Sequence, residues 1–129
     1  ECTVTKAFHR RGPAAADFEA VDVLGTITAK SIEWIHANKS RPKFLYIPLA
    51  SPHTPIVPSR AWQGKSGLGA YADFVMETDH AVGEIVKAVD EAGLAENTLV
   101  IVTADNGCSP AAKSGMKTMV FKGEKREPV

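Results

Sequence analysis

Two stretches of the chain repeat their apolar residues near a period of 3.6, which is typical of helices that bury one face. The first predicted helix covers Asp22–Asn38, with Asp22 as its candidate N-cap and Pro42 just past its end. The second covers Ala70–Ala92 and is followed by Gly93 at the position of a C-terminal cap. Its apolar stripe is predicted to consist of Phe74, Val75, Val82, Ile85, Val86 and Val89, with charged residues such as Asp73 and Glu77 mostly outside it.

Two short apolar runs predict strands that are buried on both faces. Lys43–Leu49 contains Phe-Leu-Tyr-Ile, and Leu99–Val102 is rich in β-branched residues. Strand, loop, helix and strand in this order form a βαβ unit, whose crossover makes the strands parallel. The predicted fold class is therefore α/β. Residues 22–107 form the predicted core of a single domain, residues 1–20 an irregular N-terminal segment and residues 108–129 a tail.

Polar side chains follow both predicted strands. Parallel neighbours place their carboxyl ends on one edge of a sheet, so His53, after the first strand, is expected to lie near Asp105 and Asn106, after the second. Carboxylate and amide oxygens suit calcium or magnesium, although calcium takes six to eight ligands. A histidine beside a cation can donate to an anion or act as an acid. The alternatives are a polar turn at Asp-Asn-Gly and a hydrogen-bonded loop histidine.

The composition of the chain limits the classes of function that the sequence supports. The 129 residues suffice for one domain, 44% of them are hydrophobic, and the formal net charge is zero. Bulk charge therefore indicates neither a nucleic-acid nor a membrane-surface partner. The two cysteines, Cys2 and Cys108, are too few for a disulfide scaffold and do not match the spacing of a zinc site.

The chain resembles the sulfatase family, in particular the arylsulfatase-type members of the alkaline phosphatase superfamily. The resemblance rests on Ser51-Pro52-His53-Thr54-Pro55, Gly69-Ala70-Tyr71, Asp79, Gly83 and Asn97–Gly107. It implies a doubly wound α/β sheet and the hydrolysis of sulfate esters with a calcium ion and a formylglycine. Sulfatases of this type are often exported to the periplasm, the extracellular space or the lysosome.

The resemblance also implies roles for individual residues. Asp105 and Asn106 would be two calcium ligands, and His53 would contact the sulfate and help the leaving oxygen depart. Lys117, in the stretch Gly115–Pro128, would bind the sulfate, with Lys122 as a rival candidate because it stands where the family has an acidic residue.

The departures from the family pattern are large. The family's nucleophile lies in Cys/Ser-X-Pro-X-Arg, whereas Pro58-Ser59-Arg60 follows the His-Thr-Pro loop and has Ile56 in the nucleophile's place. The paired aspartates that complete the family's calcium site are also absent. We therefore expect a middle fragment of a sulfatase, with half a calcium site, no formylglycine and no turnover on its own.

Two alternatives stay open from the sequence. One is a non-catalytic module that binds an anion or a metal, or that self-associates through exposed sheet edges. The other is a hydrolase of a different ester that uses metal-bound water, which would need more ligands than the sequence offers.

Overall fold

The computed structural model describes residues 15–107, which contain two α-helices. Helix α1 covers Val23–Ala37 and helix α2 covers Ala70–Glu91. Single turns of 3-10 helix precede α1 at Ala20–Asp22 and follow α2 at Ala95–Asn97. Both predicted helices are confirmed, and each observed boundary falls within one residue of the predicted one.

The two helices pack side by side and run in the same direction. Leu24, near the start of α1, clusters with Phe74 and Ala81 in the first half of α2. Ile35, near the end of α1, clusters with Ala88 and Val89 near the end of α2. Parallel neighbours require a connection that returns along the whole length of α1, and residues 38–69 provide it.

The ends of the helices differ in how closely they follow their predicted caps. Gly93 has φ 72° and its N–H donates to the Asp90 carbonyl at 2.9 Å, while the Leu94 N–H donates to the Val89 carbonyl at 3.0 Å. These two bonds form a Schellman motif, so the predicted cap is confirmed. Asp22 does precede α1, but its backbone is helical and its side chain makes no capping bond. The predicted N-cap position is therefore confirmed, but no capping hydrogen bond is formed there.

The predicted βαβ unit with parallel strands is wrong, because residues 15–107 contain no strand. The two apolar runs lie in coil, which we call the first coil segment (residues 42–50) and the second coil segment (residues 98–104). A strand needs a neighbour that completes its ladder of main-chain hydrogen bonds. Among the described residues no main-chain hydrogen bond joins the two coil segments. Both the predicted strands and their predicted burial are therefore wrong for these residues, and Phe44, Leu99 and Ile101 are largely exposed.

The stripe predicted for α2 is confirmed only in part. Phe74 and Val89 are buried, but Val75 is exposed and Asp73 is buried. Ala72, Ala81 and Ala88 are buried as well, and Ala81 and Ala88 belong to the two clusters that join α2 to α1. Neither helix in the described part of the chain is long and apolar enough to cross a membrane.

Candidate functional site

His53 lies in a turn that is held to the helical pair on both sides. Before the turn, Leu49 packs against the cluster of Leu24, Phe74 and Ala81, and after it Ile56 and Val57 do the same. The turn itself closes with the His53 N–H donating to the Ala50 carbonyl at 3.2 Å. The peptide bonds before Pro52 and Pro55 are cis. The position of His53 is thus fixed by core packing on either side of it.

The imidazole of His53 is exposed and presents one nitrogen to solvent. Its Nδ1 lies 2.9 Å from the Thr54 carbonyl oxygen. A carbonyl can only accept, so this contact is a hydrogen bond when Nδ1 carries the proton. Nε2 is then free to accept a proton in the neutral ring, or to donate one in the imidazolium form. This arrangement suits a group that contacts an anion or passes a proton to it.

Asp105 and Asn106 form a bend directly after the second coil segment, and both are exposed. Within residues 15–107 neither side chain makes a hydrogen bond or an ion pair. Their oxygens therefore keep their lone pairs for a ligand from outside this part of the chain. Hard oxygen donors of this kind fit two of the positions around a calcium ion.

The described residues do not by themselves bring a complete site together. No hydrogen bond or ion pair joins His53 to Asp105 or Asn106 within residues 15–107. In that range no group of three or more His, Cys, Asp or Glu side chains is placed to hold a metal ion. Their convergence stays a prediction, and Cys2, Cys108, Lys117 and Lys122 lie outside the described residues.

The residue that the sequence patterns missed is Asp73. This carboxylate, in the first turn of α2, is 3% exposed. One oxygen accepts the Gly64 N–H at 2.8 Å and the other accepts the Ser66 N–H at 2.8 Å. One turn further, Glu77 accepts the Ser59 N–H at 2.9 Å. Two carboxylates of α2 therefore hold the loop that leads away from His53. In the sequence, the glycines of this loop indicated a turn but not its contact with α2.

Hydrogen bonding sets the protonation state of Asp73. The Ser66 hydroxyl, the Ser66 main-chain N–H and the Gly64 N–H all favour the carboxylate, and they lower the pKa of Asp73 below its ordinary value of 3.8 despite the opposing effect of burial. Asp73 is thus a permanent anion at neutral pH. Both of its oxygens accept hydrogen bonds from the loop, so this buried carboxylate stabilises the loop and is not a candidate ligand-binding group.

Aromatic and cationic side chains also stabilise the packing of this loop against α2. The Trp62 ring lies 5.2 Å from the His80 ring, centroid to centroid, with the planes tilted by 44°. Lys65 Nζ lies 4.6 Å from the centre of the Trp62 ring, within the range of a cation–π interaction. The loop is consequently fixed to α2 along residues 59–66, which stabilises the chain directly after the His53 turn.

Comparison with known proteins defines the class. Residues 25–128 match the sulfatase family. This span is most of the chain and includes His53, Asp105, Asn106 and Lys117. The chain therefore belongs to the sulfatase family.

Individual relatives agree with this assignment. The chain is 35% identical to the N-acetylgalactosamine-6-O-sulfatase of Bacteroides thetaiotaomicron over 111 residues, which are 86% of this chain and 21% of that relative. It is 38% identical to human arylsulfatase A over 101 residues, 70% of this chain and 20% of the relative. It is 34% identical to mouse N-acetylgalactosamine-6-sulfatase over 113 residues, 78% of this chain and 22% of the relative. The chain thus spans about a fifth of the length of the curated relatives it matches.

Proposed function

We propose that this chain supplies part of the active site of a sulfate-ester hydrolase, namely an anion-contacting histidine and two calcium ligands. The observation that carries the proposal is the family match over residues 25–128, because it spans His53, Asp105, Asn106 and Lys117. The structure supports it by leaving the first three side chains exposed on turns after two apolar segments.

His53 is the residue that would act on the ester. Its Nδ1 is engaged by the Thr54 carbonyl at 2.9 Å, so Nε2 is the atom that would meet a sulfate oxygen. In the imidazolium form Nε2–H can donate to the ester oxygen that becomes the leaving group, which would reduce the charge that develops there. Lys117 would add a positive charge on the same anion.

Asp105 and Asn106 would hold calcium through one carboxylate oxygen and one amide oxygen. A calcium ion there would offset the negative charge of the sulfate group. The remaining ligands would come from water, from substrate or from residues outside 15–107, because that range offers no third acidic or histidine ligand beside them.

A calcium titration tests the metal part of this proposal. We expect calcium to shift the amide resonances of Asp105 and Asn106, and Asp105→Ala to weaken binding by at least about tenfold, since it removes a charged ligand. Glu96→Ala is the matched control, because Glu96 is an exposed carboxylate in another turn and should leave binding unchanged. No response at millimolar calcium would contradict the proposed metal site.

Inorganic sulfate tests the role of His53 separately. We expect sulfate to shift the imidazole resonances of His53 on binding, because the ring would donate to the anion, and we expect His53→Ala to abolish sulfate binding. His36→Ala removes an exposed histidine at the end of α1 and serves as the control. If both histidine variants bound sulfate as the original chain does, His53 would have no role in the site.

Turnover tests whether the 129 residues supply only part of an active site. We expect the 129 residues alone not to hydrolyse an aryl sulfate, since the sequence contains no complete Cys/Ser-X-Pro-X-Arg motif and covalent catalysis needs the nucleophile that this motif carries. Hydrolysis that disappeared in His53→Ala would overturn this expectation. Sulfate and calcium binding without hydrolysis would agree with it.

A further inference from the structure

Glu77 joins α2 to the chain just after the His53 turn. Its carboxylate accepts the Ser59 N–H at 2.9 Å, and only Thr54–Pro58 separate Ser59 from His53. Hydrogen bonds to a carboxylate are roughly twice as strong as those between neutral groups. Both partners are half-buried, so water competes with this bond less than it would at an exposed site. The bond therefore defines where the chain after the turn meets the helix.

The segment between the turn and Ser59 has little freedom of its own. Pro55 and Pro58 each fix the backbone φ angle at their position. Ile56 and Val57, between the two prolines, pack against the buried cluster that joins the helices. Apolar packing is not directional, so it allows the segment to slide along the cluster, whereas the bond at Ser59 fixes its register. A displacement at Ser59 is therefore carried along this stiff segment toward the turn.

The first residue of the segment orients the imidazole of His53. The Thr54 carbonyl oxygen lies 2.9 Å from Nδ1, whereas the Thr54 hydroxyl is 3.3 Å away. The carbonyl can hold the ring only when Nδ1 carries the proton, which leaves Nε2 as the nitrogen that can meet an anion. Both the direction of the ring and its tautomer consequently depend on where the segment holds the Thr54 carbonyl.

The first two turns of α2 supply the apolar and the polar contacts together. Phe74 belongs to the cluster on which the segment packs, and its neighbour Asp73 accepts the N–H groups of Gly64 and Ser66 farther along the loop. Asp73 and Glu77 lie one turn apart on the same side of the helix. This part of α2 thus holds the chain after His53 at both ends of the loop.

We propose that Glu77 is a positioning residue for His53, because its bond to Ser59 holds the segment whose Thr54 carbonyl orients the imidazole toward a sulfate group. The proposal rests on the proposed function, since it requires that His53 contact the sulfate. Glu77 does not itself contact the anion and acts through Ser59 and Thr54. A turn that adopts the binding geometry for about a tenth of the time binds about tenfold more weakly, because apparent affinity falls with the populated fraction.

Two variants of Glu77 test the proposal in the 129-residue chain. Glu77→Ala removes the acceptor, and we expect inorganic sulfate to bind at least about tenfold more weakly in an NMR titration. Glu77→Gln keeps an amide oxygen as an acceptor, so its affinity should stay within about threefold of the original. Glu84→Ala is the matched control, since Glu84 is a half-buried carboxylate farther along the same helix, and it should leave sulfate binding unchanged.

The nitrogen resonances of the His53 imidazole give a second measurement, made without sulfate. They distinguish a ring protonated on Nδ1 from one protonated on Nε2. We expect the Nδ1–H form in the original chain and in Glu77→Gln, and less of it in Glu77→Ala. Ser59→Pro removes the N–H donor from the loop side without altering α2, and it should act as Glu77→Ala does. Far-UV circular dichroism checks that the helices remain in each variant, and Ser59→Pro decides if Glu77→Ala unfolds.

The two measurements separate failure of the positioning role from failure of the proposed function. An original chain that binds no sulfate would contradict the proposed function, and the tautomer in Glu77→Ala would still show whether Glu77 orients the ring. An unchanged tautomer or an unchanged sulfate affinity in folded Glu77→Ala would overturn the proposal. It would also fail if Glu84→Ala weakened sulfate binding equally, or if Glu77→Gln bound as weakly as Glu77→Ala.

Discussion

The helical pair and the two coil segments carry similar apolar residues, but these residues are buried in the helices and largely exposed in the coil segments. In α1 and α2 the apolar residues cover each other, and Leu24, Ile35, Phe74 and Val89 are all buried. In the coil segments most residues as apolar as these are exposed, among them Phe44, Leu99 and Ile101. The difference lies in the partner. A helix completes its own main-chain hydrogen bonds and needs only one apolar neighbour, whereas extended chain needs a neighbour for its main chain as well.

A matched pair of truncations gives the largest expected contrast. Phe74→Ala removes a 6% exposed ring from the cluster with Leu24 and Ala81, and it should lower the free energy of unfolding by about 3–5 kcal/mol. Phe44→Ala removes an exposed ring and should change that free energy by less than about 0.5 kcal/mol. Urea unfolding of the monomer, followed by the helical signal, measures both. Equal losses would mean that the coil segments belong to the folded core.

The Asp73 bonds to the loop should have the next largest effect. Asp73→Asn removes the charge that accepts the Gly64 and Ser66 N–H groups, so both amides should exchange with solvent faster, whereas Asp90→Asn, at an exposed site on the same helix, should not affect them. Hydrogen exchange followed by NMR makes this measurement. Unchanged protection of both amides in Asp73→Asn would show that the carboxylate does not hold the loop.

The same carboxylate should make the loop sensitive to acid. The pKa of Asp73 is lowered on folding, so its stabilisation is complete above the ordinary value of 3.8 and is lost as the pH falls through the lower folded value. We expect the amide resonances of Gly64 and Ser66 to stay constant from neutral pH to about 4 and to shift below it. Asp73→Asn should abolish that acid-dependent step, and a step that persists in this variant must come from another group.

A pair of glycine substitutions should give the smallest effect. Gly93 has φ 72° after α2, so Gly93→Ala should cost about 1 kcal/mol of stability even though no atom lies within 4 Å of the added carbon. Gly25 lies inside α1 and also has open space, so Gly25→Ala should stabilise the chain by about 0.5–1 kcal/mol. Thermal unfolding measures both, and shifts of the same sign would contradict this view of the two positions.

The sequence was sufficient to predict features that depend on residues close together along the chain. The helix boundaries and the Gly93 cap follow from patterns a few residues long, and the structure confirms them. The strands failed because a ladder depends on a partner that the local pattern does not contain. The burial of Asp73 was missed for a related reason, since it depends on a loop that folds back onto the helix. The positions of His53, Asp105 and Asn106 on turns were predicted, but their convergence rests on the sheet, which the described residues do not form.

Hydrogen exchange of the main-chain amides, at a concentration where the chain is monomeric, tests the contrast between the helical pair and the coil segments most directly. We expect the amides of Val23–Ala37 and Ala70–Glu91 to be protected beyond the first turn of each helix. Amides of residues 43–47 and 99–104 should exchange as they do in unstructured chain, because nothing in the described residues accepts from them. Protection of these segments equal to that of the helices would contradict the account, because it would mean that they are paired within a single copy.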